Sequence, residues 1–259
     1  VTEMTLKAEA LTLGYRDRVV IRELTLSPPV GKVTSILGPN GCGKSTLLRA
    51  LARLIRPISG RVTLGGKDIH AEDTRALARR IAILPQAPLA PDGIVVEDLV
   101  KRGRTPWRGF LAPWSEADAE ACAEALAAVD MRAEARRSLN ELSGGQRQRA
   151  WLALVLAQKT PLLLLDEPTT WLDLPHQIEV LSLLRRRNRE AGTTVISVLH
   201  DLNLAARFSD HLILLGPQGV VAEGRPDEVM TAENLQRSFA LSARIMPDPV
   251  TGAPMIIPL

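Results

Sequence analysis

Aromatic side chains are scarce in this chain: one tyrosine, three phenylalanines and four tryptophans make 3% of its 259 residues. The core must therefore be built from Leu, Val, Ile and Ala, which the 46% hydrophobic content supplies. Two cysteines, Cys42 and Cys122, are too few for a disulfide framework and point to a reducing compartment. No uninterrupted apolar run reaches the roughly 18 residues of a membrane-spanning helix. The first residues lack the charged-then-apolar pattern of a signal peptide, so the expectation is a cytosolic chain. A strong excess of one charge is missing too. With 32 basic and 29 acidic residues the net charge is +3, and no basic tail argues for nucleic acid as a partner. The run Arg185-Arg186-Arg187 is expected on the solvated face of a helix.

What is present begins with Gly38-Pro39-Asn40-Gly41-Cys42-Gly43-Lys44-Ser45-Thr46. This string fits G-x-x-x-x-G-K-[ST], a loop that cradles phosphates. A short, mostly apolar run at 33–37 reads as a buried strand before it. Leu47, Leu48, Leu51 and Leu54 recur at helical spacing after it. Strand, glycine loop and helix is the context the motif needs. The glycines let backbone N–H groups crowd around an anion, and the helix N-terminus adds positive potential. Lys44 is then placed to reach the β- and γ-phosphates, and the Ser45 hydroxyl to hold Mg²⁺. A chance match would occur roughly 1% of the time at ordinary residue frequencies, which the flanking elements reduce further. The loop is read as a nucleoside triphosphate site.

The remaining chain alternates β and α, with one interruption. Strands are expected at 6–13, 19–26, 61–64 and 81–84. Tyr15 falls in the turn between the first two, where it serves either as a stacking platform for a base or as an ordinary hairpin aromatic. From 87 to 158 the chain turns helical. A short helix is expected at 95–102, and an alanine-rich one to about 129 that opens with a capping box at Ser115 and Asp118. Another helix is expected from about 145 to 158. Trp107, Phe110 and Trp114 cluster in this segment, as a contact surface for another subunit or as local packing. Strands resume at 161–165, 193–199, 211–215 and 220–222, with a helix at 176–190. The expected fold is a single α/β domain over 1–259, its core formed by 1–86 and 159–259 and its helical subdomain by 87–158.

Two further strings carry chemistry. Leu162 to Leu165 lead into Asp166-Glu167, so two carboxylates stand at the carboxyl end of a buried strand, where ligands of such sheets bind. Asp166 is suited to hold Mg²⁺ through its water shell. Glu167, one residue on, is suited to act as general base; the competing reading is a cap for the next helix. Leu142-Ser143-Gly144-Gly145-Gln146 opens a helix and reads as a second anion cradle without a lysine.

Taken with Gln86, Leu172-Asp173 and His200, these strings resemble, in order and spacing, the nucleotide-binding subunits of ABC transporters over nearly the whole chain. That family implies a P-loop NTPase core with a mixed sheet and an inserted helical subdomain. It implies ATP and Mg²⁺ as ligands, with Ser45, Gln86 and Asp166 around the metal. It makes Tyr15 the adenine platform, Gln86 the sensor of Mg²⁺ and attacking water, and His200 the contact to the γ-phosphate. Asp173 then faces a partner subunit. Family members form head-to-tail homodimers in which Ser143, Gly144, Gly145 and Gln146 of one chain close on ATP held by the other. The segments 142–151, 166–173, 103–107 and 248–258 resemble ATPases of bacterial ferric-siderophore importers. Relatives that import vitamin B12 or haem share much of this pattern, and a soluble ABC ATPase acting on nucleic acid or ribosomes is a more distant alternative. The importer reading implies two integral-membrane permease subunits, an extracytoplasmic binding protein met indirectly, no nucleic acid, and a peripheral place on the cytoplasmic face of the inner membrane.

Overall fold

The computed structural model describes residues 4–15, 18–109 and 112–259. Its strands are β1 (Leu6–Tyr15), β2 (Arg18–Leu26), β3 (Val33–Leu37), β4 (Ser59–Leu64), β5 (Lys67–Asp68), β6 (Ile81–Leu84), β7 (Leu162–Asp166), β8 (Thr194–Val198), β9 (His211–Gly216), β10 (Gly219–Gly224), β11 (Ala243–Pro247) and β12 (Pro254–Pro258). The helices are α1 (Lys44–Leu51), α2 (Thr74–Ala78), α3 (Val96–Lys101), α4 (Glu116–Ala128), α5 (Gly144–Ala157), α6 (Leu174–Ala191), α7 (Leu202–Phe208), α8 (Pro226–Val229) and α9 (Ala232–Phe239). Each strand expected from the sequence forms within two residues of its predicted bounds. The helix after the phosphate loop is shorter than its leucine spacing suggests: it ends at Leu51, and Leu54 is exposed.

Six strands make the central sheet, in the order β10-β9-β3-β8-β7-β6. All neighbours are parallel except β10, which runs antiparallel to β9 at the edge. Strands β3, β7 and β8 are buried along their whole length, as parallel strands covered on both faces must be. Two of their serines are satisfied internally, the Ser35 hydroxyl meeting those of Ser209 at 2.7 Å and Ser197 at 3.3 Å. A second sheet, β2-β1-β4-β5, is antiparallel and alternates buried with exposed residues. Helix α1 lies between the two sheets, its Leu47, Leu48 and Leu51 packed with Leu11, Leu64, Leu162 and Leu164.

The two-residue period of β7 divides the core. Leu162 and Leu164 face α1, whereas Leu163 and Leu165 face the helices of the 87–158 segment, packing with Leu99, Leu126 and Leu152. Helix α4 opens on the expected capping box between Ser115 and Asp118. The buried Asp118 also takes a 2.9 Å ion pair from Arg104, which donates to the Ala157 carbonyl as well. Burial pushes the Asp118 carboxyl up, but the bonds from Ser115 and Arg104 outweigh it and hold the group below the usual aspartate range. Removing either partner would strand a buried charge at a cost of about 3–5 kcal/mol.

Phe110 lies outside the described residues. Trp107 and Trp114 are locally engaged: the Trp107 indole donates to the Gln158 carbonyl, and its ring is covered by Arg79 and Arg104, while Arg108 covers Trp114. The run at 185–187 is only partly a solvated face, because Arg185 is half-buried and pairs with Asp210 at 2.7 Å. Helices α7 to α9 and the β11–β12 hairpin complete the chain around a third apolar cluster with Leu181, Leu204, Leu214 and Leu235.

Candidate functional site

Four neighbouring parallel strands, β3, β8, β7 and β6, end side by side. Ile36, Val198 and Asp166 stand level across three of them, and Leu84 pairs with Leu165 at the fourth. The chain leaving each strand carries one expected functional group: the phosphate loop after β3, His200 after β8, Glu167 after β7 and Gln86 after β6. Side chains separated by up to 160 residues therefore meet at the carboxyl edge of the sheet, where α/β folds place their ligands.

The phosphate loop bends at Gly43, which caps α1 with φ +102°. A Cβ there would stand 2.8 Å from the Val20 side chain, so only glycine fits. Lys44 is buried and its ammonium donates to the Gly38 and Pro39 carbonyls at 2.7 and 2.9 Å. Gly43 and Lys44, with Asn40, Gly41 and Thr46, line a cleft of 540 Å³ that is also lined by Tyr15, Arg18, Ser45, Gln86, Glu167 and His200. Tyr15 reaches it from the second sheet; its phenol oxygen accepts from Thr46 at 3.4 Å and its ring is half exposed at the mouth. That position favours the platform reading over an ordinary hairpin aromatic.

The Ser45 hydroxyl donates to Asp166 Oδ1 at 2.8 Å. Asp166 is almost fully buried, and burial pushes its carboxyl up, opposed by the Ser45 bond and reinforced by the Glu167 charge. Its other oxygen, Oδ2, is buried with no hydrogen-bond partner among the described residues. A buried, unpartnered carboxylate oxygen beside a serine hydroxyl fits a hydrated Mg²⁺, which satisfies the orphan and neutralises the charge.

Glu167 adopts φ +54°, which swings its side chain away from that of Asp166 and toward His200 and Gln86. His200 Nε2 stands 2.7 Å and Gln86 Nε2 2.8 Å from Oε1, and the Thr170 hydroxyl donates to Oε2 at 3.0 Å. Burial raises this carboxyl, but the bonds from His200, Thr170 and Gln86 prevail and hold it below the usual glutamate range. The group is thus ionised at neutral pH and fixed in direction, as a general base must be. Two of its supports were not foreseen. Thr170 sits one turn after Glu167, a spacing that could have revealed it. Gln148 donates to the Glu167 carbonyl at 3.3 Å from inside α5, and only its burial marks it.

Ser143 to Gln146 lie elsewhere. Ser143 caps α5 and forms a reciprocal box with Gln146, backbone to side chain in both directions at 3.1 and 3.2 Å. A Cβ on Gly144 would stand 3.3 Å from that of Trp171, so the 171–173 loop is laid directly on the first turn of the helix. Trp171 holds φ +67° and its ring is 79% exposed. These residues line a second cleft of 460 Å³ together with Arg149, Asp173 and His176. Arg149 keeps a buried Nε with no partner among the described residues, and Asp173 pairs with His176, whose bond holds the Asp173 carboxyl below its usual range. The two clefts share no lining residue.

Comparison with known proteins agrees with this geometry. Residues 21–170 match the family model described as ABC transporter. A probable siderophore transport system ATP-binding protein of Bacillus subtilis (strain 168) is 49% identical over 253 residues, covering 98% of this chain and 92% of that protein. The ferric enterobactin transport ATP-binding protein of Escherichia coli (strain K12) is 49% identical over 254 residues, covering 98% and 94%. Among solved structures, a transporter described as of the metal-chelate ABC type, in an inward-facing conformation, superposes with a TM-score of 0.83 at 30% identity over 99% of this chain and 98% of that one. A dimeric ATP-binding cassette in a post-hydrolysis state with ADP and Pi superposes with a TM-score of 0.76 at 28% identity, over 85% and 98%. This chain therefore belongs to the ABC transporter family, as one of its ATP-hydrolysing, ATP-binding subunits.

Proposed function

We propose that the chain is the ATPase of an importer for ferric siderophores, acting as a homodimer with two integral-membrane permease subunits on the cytoplasmic face of the cell membrane. The relatives named for siderophore and enterobactin transport support the cargo. No helix among the described residues is long and apolar enough to cross a membrane, so the pore falls to other subunits. Residues 87–158 act as an inserted helical subdomain of a single domain, and an extracytoplasmic binding protein delivers the cargo to the permease.

The separation of the two clefts is the observation that carries this reading. ATP binds with its phosphates on Gly38 to Thr46 and its adenine against Tyr15. Ser45, Gln86 and, through water, Asp166 would hold Mg²⁺, which would supply positive charge against the phosphates. Glu167 accepts the proton of the attacking water, Gln86 orients that water, and His200 contacts the terminal phosphate. The cleft around the loop is lined by none of Ser143, Gly144, Gly145 and Gln146 of the same chain. Those four residues of a second copy cover the phosphates, with Asp173 at the contact between chains. Two-fold symmetry then makes two identical shared sites.

A strain deleted for this chain and grown with a ferric siderophore as its iron source tests the cargo. Uptake of labelled iron should disappear and return with the wild-type chain but not with Glu167→Gln. Normal uptake in the deletion strain, with another substrate's import lost, would overturn the siderophore assignment and leave the ATPase reading standing.

A further inference from the structure

The far ends of α6 and α7 form a basic cleft of 760 Å³ that the ATPase reading does not use. Arg185, Arg186 and Arg189 reach it from the last turns of α6, and Arg207 from the last turn of α7. Arg185 is held by Asp210 and forms a fixed wall. Arg186, Arg189 and Arg207 make no ion pair or hydrogen bond through their side chains among the described residues, although the Glu190 carboxylate stands in the same cleft and Asp248 lies near Arg207. Favourable charge at a helix C-terminus accounts for Arg189 in α6 and for Arg207 in α7. It does not account for Arg186, nor for four guanidinium groups from two helices converging on one cleft with only Arg185 in an ion pair among the described residues. Ile178 and Phe208 give the wall an apolar part, the Arg207 guanidinium lying over the Phe208 ring, and Ser182 and Thr251 complete it.

We infer that this cleft binds a compact, soluble polyanion of the diphosphate or polyphosphate class. Guanidinium groups pair with phosphate oxygens in a bidentate manner, and a shared anion relieves their mutual repulsion. A concave site of this size suits a small molecule better than the flat surface of a bilayer. The location gives such a ligand a lever on the active site. Helix α6 begins next to Asp173 and α7 begins next to His200, so an anion tying their C-terminal ends links two elements whose opposite ends adjoin the proposed contact between chains and the proposed phosphate contact.

Arginine labelling with phenylglyoxal, resolved residue by residue by mass spectrometry, tests this on the full chain with pyrophosphate as the probe. Reading each arginine separately keeps pyrophosphate in the phosphate loop from confusing the result. Arg186, Arg189 and Arg207 should be protected several-fold, while exposed Arg132 and Arg136 stay reactive. The exposed double variant Arg186→Gln with Arg189→Gln should lose protection of Arg207, and Glu190→Gln should bring half-protection to a lower concentration. Absence of protection, or equal protection of Arg132 and Arg136, would overturn the site. Protection by phosphatidylglycerol vesicles but not by pyrophosphate would replace the soluble ligand with a lipid headgroup and overturn that part of the proposal.

Discussion

The phosphate-loop cleft and the Ser143 cleft are built from similar materials, a strand or loop leading into a glycine-rich helix start, yet they differ in how their side chains are held. In the first, groups from four strand ends lock one another: Ser45 to Asp166, and Gln86, Thr170 and His200 to Glu167. In the second, Ser143 and Gln146 hold each other, with one long contact from Gln146 to Glu134 at 3.5 Å, Arg149 keeps an unpartnered Nε, and the exposed Trp171 stands beside them. A site that must hold a base within hydrogen-bond reach of water requires orientation from several directions. A surface that only closes over a bound phosphate needs free donors and room. Under the proposed reading, the contrast separates the half of the site that reacts from the half that clamps.

The largest effect should come from breaking the reacting half. Glu167→Gln keeps the shape of the side chain but removes the base, and turnover should fall by roughly 10²–10⁴ while ATP still binds. Single-turnover hydrolysis against nucleotide binding checks this; near wild-type turnover would remove Glu167 from its role. In the wild type, the depressed Glu167 carboxyl stays ionised to a lower pH than a free glutamate, so the acid limb of turnover should lie below the ordinary glutamate range.

Next in size is the division of labour itself. Lys44→Ala disables a phosphate loop and spares Ser143, whereas Ser143→Arg fills the clamp and spares the loop. Each mutant alone should be inactive. Mixed at random, half the dimers carry one intact site, so activity should recover to roughly a quarter of wild type at most. If turnover requires both sites, trapping of one ATP per mixed dimer on a Glu167→Gln background is the readout. Folded mutants that trap nothing when mixed would show that the site is not shared.

The reacting half was the more legible in the sequence. Its strands are short apolar runs buried on both faces, and each ends at a polar residue of known chemistry, so Leu162 to Glu167 could be read as strand and site together. What the residues could not convey was the meeting of Gln86 with Glu167 across 81 positions, which depends on the parallel pairing of β6 with β7. Thr170 and Gln148 escaped notice because they support Glu167 rather than face the cleft chemistry themselves. Helices α7 to α9 span only four to eight residues, too few for a periodic pattern to declare itself, and β12 buries a single residue, Ile256, fully. Arg185 was misjudged as solvated since its partner Asp210 comes from beyond the next strand and helix.

A smaller effect should follow at the mouth of the reacting cleft. Tyr15→Ala removes the ring that the proposed reading stacks on the base, worth about 1–3 kcal/mol by analogy with base–aromatic stacking elsewhere. KM for ATP should rise by roughly tenfold with little change in kcat, since the phosphates and Glu167 are untouched. Tyr15→Phe should restore KM if stacking is the cause, because only the weak contact from Thr46 is lost. An equal loss in both variants would place the contribution in the phenol oxygen.

The smallest effect separates the two clefts, because only one of them is built on a loop that contains a thiol. The Cys42 side chain packs against the apolar cluster beneath the loop rather than lining the cleft. Cys42 lies in the phosphate loop beside Gly38, half-buried, whereas Cys122 is buried in α4. Burial pushes both thiols up, so neither is appreciably ionised at neutral pH, and maleimide should react slowly. Because the thiolate is the nucleophile and the Cys42 pKa is raised, its labelling should accelerate as pH climbs and continue to do so past the usual thiol range. MgATP should protect Cys42, since an adduct on a thiol packed beneath the loop requires the loop to open, and bound phosphates hold it closed. In the mixed Lys44→Ala and Ser143→Arg dimers, labelling should abolish the recovered activity only when Cys42 is present on the Ser143→Arg chain, which owns the surviving loop. Replacing Cys42 with Ser on that chain alone should therefore make the mixture resistant, and resistance gained instead from the Lys44→Ala chain would assign the two half-sites the wrong way round.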